Sequence, residues 1–82
     1  MTNFHYVYIL VDCATSTHFY VGQTHDLKAR LVAHNSGQCP HTSKVKPWKL
    51  KTAIAFDAED KATAFEAYLK THSGRVFAKK HF

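Results

Sequence analysis

The sequence predicts an α+β domain in which a three-stranded antiparallel sheet is flanked by helices, in the order ββαβαα. Two observations carry that class. A pair of aromatic and β-branched runs stands on either side of a turn cluster near the start, and a third such run is framed by two stretches of helical spacing. Phe4 to Val11 (FHYVYILV) is apolar on nearly every residue, so it reads as a strand buried on both faces. Asp12 to Thr17 is a turn cluster, and His18 to Gln23 is the strand that returns from it. Thr24 or Asp26 caps a helix running to about Asn35 or Ser36, with Gly37 placed to end it in the left-handed conformation. Gln38 to Pro47 is polar with two prolines and reads as a loop, and Trp48 to Phe56 is the third strand. Asp57 to Asp60 supplies the cap and first-turn acids of a second helix that extends to about Thr71. Ser73 and Gly74 are expected to break it, leaving Arg75 to Phe82 as a short terminal helix anchored by Phe77.

Eighty-two residues, 45% of them hydrophobic, make one domain spanning residues 1–82 with an adequate but thin core. The absence of about twenty consecutive apolar residues excludes a membrane helix, and no secretory signal is legible, so the expected location is cytoplasmic. Cys13 and Cys39 are then expected as reduced thiols. The candidate zinc donors Cys13, His18, Cys39 and His41 fit no metal-binding spacing. Eleven Lys and Arg against six Asp and Glu give a net charge of +5. No acid falls between Asp26 and Asp57, while Lys28, Arg30, Lys44, Lys46, Lys49 and Lys51 do, and Lys70, Arg75, Lys79 and Lys80 follow Glu66. One-sign blocks of this kind suit an anionic, phosphate-bearing partner; the alternative is a lysine-rich surface that serves solubility. Seven histidines place changes of charge and activity between roughly pH 5 and 7.5.

Projected as helices, Arg30 and His34 share a stripe with Leu27 and Leu31, and Glu66 lies within the face made by Ala58, Ala62, Phe65 and Leu69. A charge on an apolar stripe must be paired, stand at an edge or face a cleft. Asp12 fits a turn, Asp26 a cap, and Asp57, Glu59 and Asp60 a helix start, so Glu66 is the one acid without a local structural duty. An ion pair with Lys70 or with Arg30 would account for it structurally. Tyr6 and Tyr8 share a strand face and Tyr20 precedes Gly22; packing is the ordinary role of such tyrosines, and a strand glycine marks a close approach.

Tyr6-Val7-Tyr8 followed by Tyr20-Val21-Gly22 resembles the paired strand motifs of the GIY-YIG nuclease superfamily. The likeness continues through Thr24, Asp26-Leu27, Arg30-Leu31, His34-Asn35, Gly37, Pro47 to Leu50, Phe65-Glu66 and Ser73 to Arg75 with Phe77 and Lys79-Lys80. It spans essentially the whole chain and is nearest to small single-domain bacterial members similar to the N-terminal catalytic domain of the excision-repair nuclease. The resemblance implies a divalent-metal-dependent endonuclease that hydrolyses nucleic-acid phosphodiesters, with DNA the favoured substrate and RNA an alternative. By position, Glu66 looks like the carboxylate that holds Mg²⁺ or Mn²⁺. Arg30 looks like the phosphate clamp. Tyr8 and Tyr20 look like the pair that orients or deprotonates the attacking water, Tyr8 being the favoured base, and His34 like the residue that polarises a tyrosine hydroxyl. Lys44, Lys46, Lys49, Arg75 and Lys79 are the expected backbone contacts. Tyr6 stands where the family motif has glycine, Gln23 where repair-type members have lysine, and no asparagine follows Glu66. With no room for a recognition domain, the expected specificity is loose or structure-selective, or is supplied by a targeting protein. A non-catalytic nucleic-acid-binding module on the same basic face is the alternative function, and a docking subunit presenting Pro47 and Trp48 is a third.

Overall fold

The computed structural model describes residues 3–38, 42 and 44–82. Its elements follow the expected order: β1 (His5–Asp12), β2 (Phe19–Thr24), α1 (Leu27–Asn35), β3 (Trp48–Phe56), α2 (Glu59–Leu69) and α3 (His72–His81). The sheet is antiparallel in the order β2-β1-β3, so the apolar run of β1 becomes the central strand and Val7 to Asp12 are all buried. Strand alternation then sorts its side chains onto two cores. Val7 and Ile9 pack with Val21 against Ala62, Phe65 and Leu69 of α2 and Phe77 of α3. Tyr8 and Leu10 pack with Tyr20 and Trp48 against Leu27 and Leu31 of α1. Helices thus cover both faces, and β2 remains an edge strand. No helix among the described residues is long and apolar enough to cross a membrane.

Local chemistry sets the boundaries. Asp26 caps α1 by accepting the Ala29 N–H at 3.0 Å, and Gly37 takes φ 82° beyond its end. Asp12 closes the β1–β2 turn, its buried carboxylate accepting the backbone N–H groups of Thr15, Thr17 and His18 and the Thr15 hydroxyl. Those donors, the Thr15 hydroxyl foremost, hold it well below the usual carboxylate range. Between Ile9 and Leu10 the register with β3 shifts: Ile9 faces Thr52 and Leu10 faces Leu50, so Lys51 is the extra, bulged residue.

Three expectations at the C-terminal half are corrected. Asp57 does not cap α2; Ala58 holds the cap position without a side-chain bond, although Glu59 and Asp60 occupy the first turn as expected. The helix ends at Leu69, two residues before Thr71. Ser73 and Gly74 do not break the chain but lie in the first turn of α3, which Thr71 caps by accepting the Gly74 N–H at 3.1 Å. Gly74 is small for a packing reason: a Cβ there would overlap the Tyr68 carbonyl oxygen and the Leu69 Cα, so the glycine lets α3 close against the last turn of α2. Cys39 and His41, weighed as a reduced thiol and as zinc donors, lie outside the described residues, and Cys13 is an exposed free thiol.

Candidate active site

An open cleft of about 440 Å³ lies over the β2 edge and is lined by His5, Tyr20, Gly22, Gln23, Thr24, His25, Arg30, Glu59 and Glu66. Three of the five expected catalytic residues therefore meet in one cavity, although they come from β2, α1 and α2. The edge position of β2 explains how. Tyr20 and Gly22 belong to the α1 face and Gln23 to the α2 face, so only a cavity wrapping the edge reaches Arg30 on one side and Glu66 on the other.

Tyr8 and His34, the other two, sit directly behind this wall. The Tyr8 hydroxyl is 2.8 Å from Nε2 of His34, and both side chains are buried. The hydroxyl lies against Gly22, where any Cβ would overlap it, so the strand glycine foreseen as a close approach accommodates this phenol. Tyr20 packs against His34 with ring centroids 4.8 Å apart and planes tilted by 58°, leaving Tyr20 as the phenol that lines the cleft and Tyr8 as the phenol bonded to the imidazole.

Burial, and then the nearby Arg30 guanidinium, push the His34 pKa below its ordinary 6.5. At neutral pH the ring is uncharged, so one nitrogen donates and the other accepts. Its Nδ1 is 2.8 Å from the hydroxyl of Thr42. Thr42 is itself anchored, because Nε1 of Trp48 donates to its carbonyl at 2.9 Å, and Asn35 brackets the Trp48 backbone by donating to its carbonyl and accepting its N–H. Trp48 is buried in this support, which removes it as a docking surface. Thr42 carries no periodic or charge signal in the sequence, and Asn35 stands out there only through its place beside His34 in the family resemblance; the convergence of α1, β3 and the intervening loop gives both their supporting role.

Glu66 is 22% exposed, with Oε2 2.9 Å from Nζ of Lys70 and Oε1 accepting from Nε2 of Gln23 at 3.2 Å. The i+4 ion pair weighed from the sequence is thus present, and Gln23, which replaces a cation in related motifs, orients the carboxylate instead. Lys70 is 55% exposed and can turn away into solvent. The Glu66 carboxylate on this open polar cleft is a donor that fits a hard divalent cation, which keeps most of its water shell.

A second groove of about 680 Å³ lies on the α3 side of the same edge, with Ile9, Val21 and Leu69 among its apolar residues and Lys51, Lys70, Arg75 and Lys79 as its cations. Tyr20 lines both cavities. The expected contacts Arg75 and Lys79 are therefore brought beside the cleft. Lys44, Lys46 and Lys49 are exposed but line neither cavity, whereas Lys51, which the sequence did not single out, does so through its bulge.

The family model described as the GIY-YIG catalytic domain matches residues 4–80. A UPF0213 protein of Lactococcus lactis subsp. cremoris is 39% identical over 69 residues, covering 83% of this chain and 68% of its own length. Another, from Streptococcus pneumoniae serotype 4, is 38% identical over 66 residues, covering 79% of this chain and 65% of its own. The chain thus spans about two thirds of the length of both. The solution structure of a UPF0213 protein from Bacillus halodurans superposes with a TM-score of 0.55 at 29% identity, over 94% of this chain and 83% of that one.

Proposed function

We propose, from the premise that this chain belongs to the GIY-YIG catalytic domain family, that it is a divalent-metal-dependent endonuclease hydrolysing phosphodiester bonds of nucleic acid, DNA foremost. The observation that carries this reading is the single cleft shared by Arg30, Tyr20 and Glu66, with the Tyr8–His34 pair behind its Gly22 wall. Residues 1–82 are taken as one nuclease domain.

In this reading the Arg30 guanidinium binds the scissile phosphate and offsets charge that grows on its oxygens. Thr42 donates its hydroxyl to Nδ1 of His34, which leaves Nε2–H to donate to the Tyr8 oxygen and favours phenolate-like charge there. Once its own proton has left to solvent, the Tyr8 oxygen takes a proton from water as the water oxygen adds to phosphorus and the bond to the leaving oxygen breaks, the leaving oxygen being protonated from solvent. Tyr20, on the cleft wall, orients that water. Glu66 would hold Mg²⁺ or Mn²⁺, which supplies Lewis acidity to the phosphate when bound. Arg75, Lys79, Lys51 and Lys70 would carry the flanking backbone past Tyr20.

The non-catalytic alternative draws support from the donors already on both Glu66 oxygens. A gel assay separates the two readings, using single-stranded, duplex, flapped and branched DNA and RNA with Mg²⁺, Mn²⁺ or EDTA. Cleavage that requires metal and is lost in Arg30→Ala supports the nuclease; binding to these substrates without product under any metal supports the binding module.

A further inference from the structure

The rim of the cleft holds a second set of donors that the hydrolytic scheme does not use. In the antiparallel register of β1 and β2, Tyr6 faces Thr24, and continuing it one step sets His5 opposite His25 on the α2 side of the sheet. Their rings lie 4.4 Å apart. On the other side of β1, His5 faces Phe56, three residues before Glu59 opens α2. Three separate segments thus meet at one end of the sheet, and one donor atom from each of His5, His25 and Glu59 falls within 4.8 Å of the others.

We propose that His5, His25 and Glu59 form a metal centre for a borderline divalent transition ion, with Zn²⁺ as the representative, distinct from the hard-cation position at Glu66. Two imidazoles and one carboxylate select zinc-like ions over magnesium, which prefers oxygen donors. A tetrahedral ion with bonds of about 2.1 Å needs its donors about 3.4 Å apart, so the cluster must tighten from within 4.8 Å by up to about 1.4 Å. It can do so: His25 and Glu59 are exposed and free to change rotamer, while half-buried His5 is held by the strand. Three protein ligands leave a coordination position for water or a phosphate oxygen, and all three residues line the cleft that holds Arg30 and Glu66. Glu59 is also suited to the first turn of α2 as a carboxylate, but that duty does not account for two imidazoles converging on it.

The test is a Zn²⁺ titration of the metal-stripped full chain, followed through the imidazole nitrogen resonances, for the wild type, His25→Ala, Glu59→Gln and Glu66→Ala. The expected result is that His5 and His25 shift to completion at one equivalent. His25→Ala and Glu59→Gln should each weaken this by at least about 100-fold with unchanged amide spectra, and Glu66→Ala should leave it intact. Zinc that reaches other histidines or Cys13 while His5 and His25 stay unmoved overturns the proposal. So does undiminished affinity in His25→Ala, or loss of the site in Glu66→Ala. None of these readouts depends on nuclease activity.

Discussion

His34 is the residue whose environment says most. Its ring is buried, bonded at one nitrogen to Tyr8 and at the other to Thr42, and kept neutral by burial and by Arg30. Because its folded pKa lies below the ordinary 6.5, the unfolded chain binds the extra proton first as pH falls. The stability it contributes is fully present above about pH 6.5 and is lost as pH drops beneath it. Urea midpoints measured from pH 7.5 downward should therefore decline, with the His34 imidazole titrating below 6.5 by NMR; titration above that value contradicts the assignment. Asp12 leaves the range above about pH 5 undisturbed, since its carboxyl is ionised there in folded and unfolded chain alike; the stability from its lowered pKa is lost only as pH falls through 3.8 and below. Tyr8→Phe keeps the packed ring and removes the hydrogen bond to His34. It should cost about 1 kcal/mol in a thermal melt, yet lower cleavage by about 100-fold or more.

At the scale of elements, the edge position of β2 makes the site, because a cavity wrapped around it can join Arg30 and Glu66 from helices on opposite faces. The strands, a cap at Thr24 or Asp26, Gly37 and the apolar stripes bearing Arg30, His34 and Glu66 were all legible, since periodicity and capping are local properties. The start of α3 was not. Gly74 reads as a breaker in one dimension, and its true role is a contact with the preceding helix that only the folded chain reveals. Thr42 and the His5–His25–Glu59 group escaped for the same reason, being assembled from distant segments. Gly74→Ala should force α3 away from Tyr68 and Leu69 and destabilise by about 1–3 kcal/mol. For a domain of this size that is a melting temperature lower by roughly 5–20 °C, checked by circular dichroism. An unchanged melt would mean that α3 does not depend on this close approach.

The whole molecule is a flat body, 32 × 31 × 18 Å, with a net charge of +5. Its groove cations lie beside the cleft, whereas Lys44, Lys46 and Lys49 do not, so charge alone could not tell which sequence block would face a substrate. Replacing Arg75 and Lys79 by alanine should lower the slope of log affinity against log salt by about 1.4–1.8, the value for two lost phosphate contacts. Replacing Lys44 and Lys46 should change it less. The central claim, that the shared cleft performs hydrolysis, is tested most directly by Glu66→Gln, with binding and cleavage measured on the same labelled DNA in Mn²⁺. The account predicts cleavage reduced by about 1,000-fold or more while binding is undiminished. Cleavage at the wild-type rate would show that Glu66 serves only its pair with Lys70 and would contradict the account.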